Sequence, residues 1–170
     1  MSNKNVPSAI AIKKILEHYP INLSFFDISL LGNGHINYTY KVNTADGDFV
    51  LQQINHDIFT NPIELSSNAQ KINLHLNEQK KQKNYSFVVP QQLATKSGQH
   101  CLAIDGCYWR LMEFISHSHT LETIHSAEQA ALVAEAFAQF SCALSDFNAI
   151  YNPYEDGNST QRVIDAIVKK

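Results

Sequence analysis

The chain has 170 residues, 44% of them hydrophobic and 17% charged, with a net charge of -3. That suits one domain, or one and a small piece, burying a core without disulfides or metals; the negative balance excludes a broad basic surface for nucleic acid but leaves room for a local phosphate site. The polar start through Ala9, and the lack of any apolar stretch near ~20 residues, exclude a conventional secretory signal or a spanning helix, so no membrane partner and a cytoplasmic location are expected.

From Ile10 to Tyr19, apolar residues at 10, 12, 15 and 16 predict a short amphipathic helix that Pro20 ends. Two strand-like runs follow, Phe25 to Leu31 and Ile36 to Asn43, separated by Gly32-Asn33-Gly34-His35. The turn Ala45-Asp46-Gly47 leads into a third, Asp48 to Ile54, because Asp-Gly between β-type runs signals a hairpin. Asn61-Pro62 opens a second helix with Leu65, Ala69, Ile72 and Leu76 on one face, and Lys80 to Asn84 reads as a solvated polar loop. Phe87 to Pro90 is a short extended piece. Cys101 to Ile104, the turn Asp105-Gly106 and Tyr108 to Ile115 form another hairpin. Strands adjacent in sequence, with few helices between them, predict an α+β fold: a five-stranded antiparallel sheet with a packed helix.

From Ser126 the character changes. Glu128 to Leu144 is an alanine-rich helix whose only clearly polar residues beyond Ala130 are Glu135, Gln139 and Ser141. A helix apolar on nearly all sides needs cover on more than one face, and the sheet can supply only one. Its cover is expected from a second lobe or from self-association through exposed apolar surface. A loop, Asn148 to Ser159, and a helical start from Gln161 close the chain. The three cysteines cannot all pair with one another: Cys101 and Cys142 lie in apolar runs and read as buried free thiols, and Cys107 abuts a turn, as a reducing compartment allows.

The chemistry is carried by Gly32-Asn33-Gly34-His35-Ile36-Asn37 between two strands. Backbone N–H groups approach phosphate oxygens only where side chains are absent. Kinase glycine-rich loops use such a hairpin tip, although a Gly-x-Gly tip is more often only a turn. The third strand, Phe49-Val50-Leu51-Gln52-Gln53-Ile54, carries no lysine, which disfavours ordinary protein kinases.

The stretch Leu31 to Tyr40, then Val50-Leu51-Gln52-Gln53-Ile54-Asn55, Ile58-Phe59 and Asn61-Pro62, resembles the start of the N-acetylhexosamine 1-kinases, within the aminoglycoside phosphotransferase and choline kinase superfamily. Ile104 to Ile115 is similar to that family's last N-lobe strand and hinge, Glu128 to Leu144 to its next helix, and Tyr154-Glu155-Asp156 with Gln161-Arg162 loosely to the stretch after it. The resemblance implies a protein-kinase-like N-lobe over residues 1–115, and over 116–170 a linker and the first helices of an incomplete C-lobe. It implies ATP as the nucleotide, Mg2+ in the complete enzyme, and a small-molecule acceptor, an amino sugar, bound only with a complete C-lobe. Gly32, Asn33 and Gly34 would face the phosphates, and His35 and Asn37 the phosphates or the sugar. Gln53 would stand where relatives elsewhere in the superfamily have a phosphate-touching arginine or lysine. Met112 would lie behind the adenine ring, with Glu113 to Ile115 offering backbone groups to it. Asn68 matches an asparagine of the N-lobe helix, while Ser67 departs from a residue often acidic in relatives.

The family's catalytic aspartate lies in a His-Asn-Asp-type loop and its metal-holding aspartate in an Ile-Asp-x-Asp-type strand, both beyond the equivalent of Lys170; Asp146, Asp156 and Asp165 lack that context. The expectation is the N-terminal, nucleotide-binding part of a truncated phosphotransferase, inactive by itself. The alternative is a non-catalytic nucleotide- or partner-binding module derived from that lobe. No catalytic residue and no metal ligand is assigned: His117, His119 and His125 read as solvated loop histidines without a completing ligand set. Trp109 and Arg110 read as core and edge-strand residues rather than ligand contacts. Gln52 and Gln53 are adjacent in a strand and must point to opposite faces, so if Gln53 faces the nucleotide, Gln52 faces outward or toward the helix.

Overall fold

A computed structural model describes residues 7–32, 36–118 and 123–147. In chain order the elements are α1 (Ala9–Leu16), β1 (Phe26–Leu30), β2 (Tyr38–Thr44), β3 (Gly47–Ile54), α2 (Pro62–Lys81), β4 (Gln92–Leu93), β5 (Leu102–Ile104), β6 (Cys107–Glu113) and α3 (Ala127–Ala143). The six strands form one antiparallel sheet in the order β1-β2-β3-β6-β4, with β5 pairing β6. This is the α+β fold with the sheet and few helices that the sequence predicts, carrying one strand more than expected. That strand begins two residues after Pro90, which has no N–H to give a ladder; the extended piece at Phe87 to Pro90 forms none.

The chain forms two compact units, Met1–Asn73 with Pro90–His119, and Leu74–Val89 with Thr120–Lys170. In the first, Ser8 caps α1 by accepting the Ala11 N–H on its Oγ at 3.2 Å. Buried Ile12, Ile15, Leu16 and, just past the helix, Tyr19 pack with Tyr40 and Val42 of β2, Phe49 and Leu51 of β3, and Trp109 and Leu111 of β6. Strand alternation makes this one face of the sheet. Each fully buried Leu or Ile contributes about 1.5–3 kcal/mol, so this face holds the unit together.

In the second unit, His75 of α2 is buried, with Nε2 2.7 Å from the Ala143 carbonyl and 3.1 Å from Asp146 Oδ1, and its ring meets Phe147 edge-on. Both oxygens are acceptors, so Nε2 carries the proton. Ser86 donates its N–H and its hydroxyl to Gln139 Oε1. On α3 only Ala143 is buried, while Leu132 and Phe137 are 65% and 69% exposed; Cys142, expected to be buried, is exposed there, whereas Cys101 is buried as expected. The apolar helix therefore lacks, among the described residues, the cover that its composition calls for. The loop at Asn148 to Ser159 and the helical start at Gln161 lie outside the described residues.

Candidate functional site

The face of the sheet opposite α1 carries the candidate site, and register defines it. Thr39 pairs with Gln52 and Lys41 with Val50 across β2 and β3, and Gln52 pairs with Arg110 and Val50 with Met112 across β3 and β6. Directly opposed residues point to the same side. Two neighbouring rungs result: Lys41–Val50–Met112, and Thr39–Gln52–Arg110 about 7 Å further along the strands.

The first rung floors a cavity of about 220 Å³ lined by Leu31, Val50, Pro90, Met112, Glu113, Phe114, Ile115 and Ser118. The walls follow from where β6 ends. The Glu113 N–H donates to the Gln91 carbonyl at 2.9 Å and the Phe114 N–H to the Asp48 carbonyl at 3.1 Å. The Ile115 carbonyl accepts the Ser118 hydroxyl at 2.6 Å, and the Ile115 N–H has no acceptor among the described residues. An apolar slot with one spare backbone donor at its rim suits a flat heteroaromatic ring. Lys41 borders it with its charge satisfied: Nζ lies 2.8 Å from Asp48 Oδ2 and 4.3 Å from the centre of the Phe114 ring. The hydrogen bond from Lys41, then that from Asn43, holds the Asp48 carboxyl below the usual aspartate range.

The second rung is a hydrogen-bonded row. Gln52 donates Nε2–H to Thr39 Oγ1 at 3.0 Å, and its Oε1 accepts from Arg110 Nε at 2.9 Å and Nη2 at 2.6 Å. Burial lowers the Arg110 pKa, opposed by the Cys101 thiol; a guanidinium so shifted remains a cation. The Leu31 N–H donates to the Thr39 carbonyl at 2.9 Å, so the chain leaves the sheet at Gly32 beside this row. Gly32 has φ +72°, a conformation glycine adopts freely.

Met112, Glu113 and Ile115 are thus brought together, with Leu31 and Val50 joining them. Gln53 is not among them. It lies on the α1 face, paired with Tyr38 and Trp109, in a cavity with Ala11, Lys14, Ile15 and Asp105. The two glutamines do point to opposite faces, with Gln52 on the side of the slot. Asn37 uses Oδ1 to accept the Asn55 N–H at 3.0 Å, tying the start of β2 to the end of β3. Asn33, Gly34 and His35 lie outside the described residues. Ser67 lines a separate cavity with Gln70, His100 and Cys101, and Asn68 a shallow one with Ile58, Asn61 and Leu65.

Arg110 differs most from its sequence reading. β6 pairs with β3, β4 and β5 and is no edge, and Arg110 is half-buried there. The signal available in sequence was a lone arginine alternating with Tyr108 and Met112, opposite Trp109 and Leu111.

Among known proteins, the phosphotransferase enzyme family (APH) matches residues 27–162. Among solved structures, a spectinomycin phosphotransferase, APH(9)-Ia, in complex with ADP and spectinomycin is similar at 12% identity and a TM-score of 0.48, over 80% of this chain. The chain spans 38% of the length of that structure.

Proposed function

The chain belongs to the phosphotransferase enzyme family, and from that membership we propose that it is the nucleotide-binding part of an ATP-dependent small-molecule phosphotransferase, with an amino sugar as acceptor. The observation that carries the nucleotide reading is the slot at the end of β6: apolar walls from Leu31, Val50 and Met112, beside an Ile115 N–H without an acceptor among the described residues. Adenine would insert between these walls and accept that N–H. Its phosphates would extend past the Thr39–Gln52–Arg110 rung toward Gly32.

In this reading residues 1–115 form the nucleotide lobe and 116–170 lead into the part that receives the acceptor. The amino-sugar assignment rests on the resemblance of residues 31–40, 50–55 and 104–115 to N-acetylhexosamine 1-kinases. Mg2+ would neutralise charge on the transferring phosphoryl group in such an enzyme. Among the described residues no three His, Cys, Asp or Glu side chains converge to hold it.

Calorimetric titration of ATP into the chain tests the nucleotide reading. Saturable binding is expected, and Val50→Trp, which fills the slot from its floor, should weaken it at least tenfold with the melting temperature held. Absence of saturable binding by the unaltered chain, or undiminished affinity in the variant, would overturn the reading. The acceptor class is tested by comparing N-acetylhexosamines, aminoglycosides and choline as phosphate acceptors.

A further inference from the structure

We propose that Arg110, aimed by Gln52, is the cation of this lobe that binds the phosphates of the nucleotide, a role for which the third strand offers no lysine or arginine; this rests on the nucleotide reading above.

Three observations converge on it. The first is position. Arg110 stands on the same face as Val50 and Met112, one rung nearer Gly32. A diphosphate attached to a base in the slot and running toward Gly32 passes over this rung. The second is charge. Lys41, the other cation on these two rungs, is paired with Asp48, whereas Arg110 has no carboxylate within salt-bridge distance among the described residues. A half-buried cation without a counter-charge is costly unless an anion meets it. The third is valence. A guanidinium carries five N–H donors, and Gln52 Oε1 takes one from Nε and one from Nη2, leaving three for phosphate oxygens.

Gln52 explains itself in this arrangement. A neutral amide donates to Thr39 and accepts two bonds from Arg110, so it fixes the plane of the guanidinium without cancelling its charge. A glutamate there would pair with the arginine and remove the charge that phosphate needs. Arg110 would thus contact the ligand, and Gln52 is a positioning residue.

The test compares ADP, adenosine and inorganic pyrophosphate as ligands of the whole chain by calorimetry. Arg110→Met should lower affinity for ADP roughly tenfold or more, as loss of charge-assisted hydrogen bonds does, and weaken pyrophosphate, with adenosine unchanged. Gln52→Glu should lower ADP affinity in the same selective way. Loss of ADP and adenosine affinity in equal measure, or of neither, overturns the assignment while leaving the nucleotide reading standing. Failure of the unaltered chain to bind ADP or adenosine overturns both. A measurement on the unaltered chain guards against a variant that does not fold. The chain has two arginines, Arg110 and Arg162, so ¹⁵N-arginine labelling gives two Nε signals, assigned with Arg162→Lys. The Arg110 signal should shift on adding ADP and stay fixed on adding adenosine; an Arg110 signal that ignores ADP refutes the proposal.

Discussion

Single residues show how far identity reaches and where register takes over. Gln52 and Gln53 are chemically the same, and the sequence establishes only that they face apart. The pairing of Val50 with Met112 decides that Gln52 shares the slot's face and that Gln53 lies against α1. Arg110 was legible as a charged residue among apolar neighbours, but its partners, Gln52 and through it Thr39, come from strands 58 and more residues away. His75 was equally silent, because its contacts lie on residues 143, 146 and 147. Asp48 supplies a prediction at this scale. Its pKa is lowered by hydrogen bonds from Lys41 and Asn43, and a carboxylate so shifted adds stability that is complete above its unfolded value near ~3.9 and is lost as pH falls through its lower folded value. Asp48→Asn should therefore melt below the unaltered chain at pH 7, with the gap closing under acid conditions below the folded value. A gap independent of pH in scanning calorimetry would contradict this.

Elements were legible where a local signal sufficed. The periodic apolar residues of α1 and α2 and the Asp-Gly turns gave both helices and both hairpins within a few residues. The β5–β6 turn shows the physics: Asp105 has φ +50° and Gly106 φ +75°, and two consecutive positive φ angles match the twist of the flanking strands. Added at Gly106, a Cβ would meet nothing within 4 Å, so Gly106→Ala should cost about 1 kcal/mol for conformational reasons alone. Urea denaturation measures it, and a value several times larger would mean that the turn is crowded after all. The turn also meets a distant element: Asp105 pairs with Lys14 of α1, 91 residues away, at 2.9 Å, an exposed pair of small energetic weight. The extra strand β4 escaped sequence reading because two residues carry no periodicity; it exists only because β6 offers an unpaired side to Gln92 and Leu93.

At the scale of the whole chain, the two compact units differ in how they hold their elements. β2, β3 and β6 are interior to the sheet and pack fully buried Val42, Leu51 and Leu111, whereas α3 buries a single residue. Local opening free energy follows burial and ladder pairing. Amide exchange should therefore be slowest in those three strands and much faster along α3; equal protection of α3 would show that its apolar side is covered in solution. By itself the sequence determined the antiparallel α+β class, the helix and hairpin sequence and the family resemblance, because hydrophobic period and turn chemistry are written in adjacent residues. The tertiary structure alone decided which side of each strand meets the slot, where Gln53 goes, and that Arg110 stands beside it with no carboxylate partner among the described residues. Those outcomes depend on the register between strands far apart in the chain, and a shift of one residue would have turned every one of them to the other face.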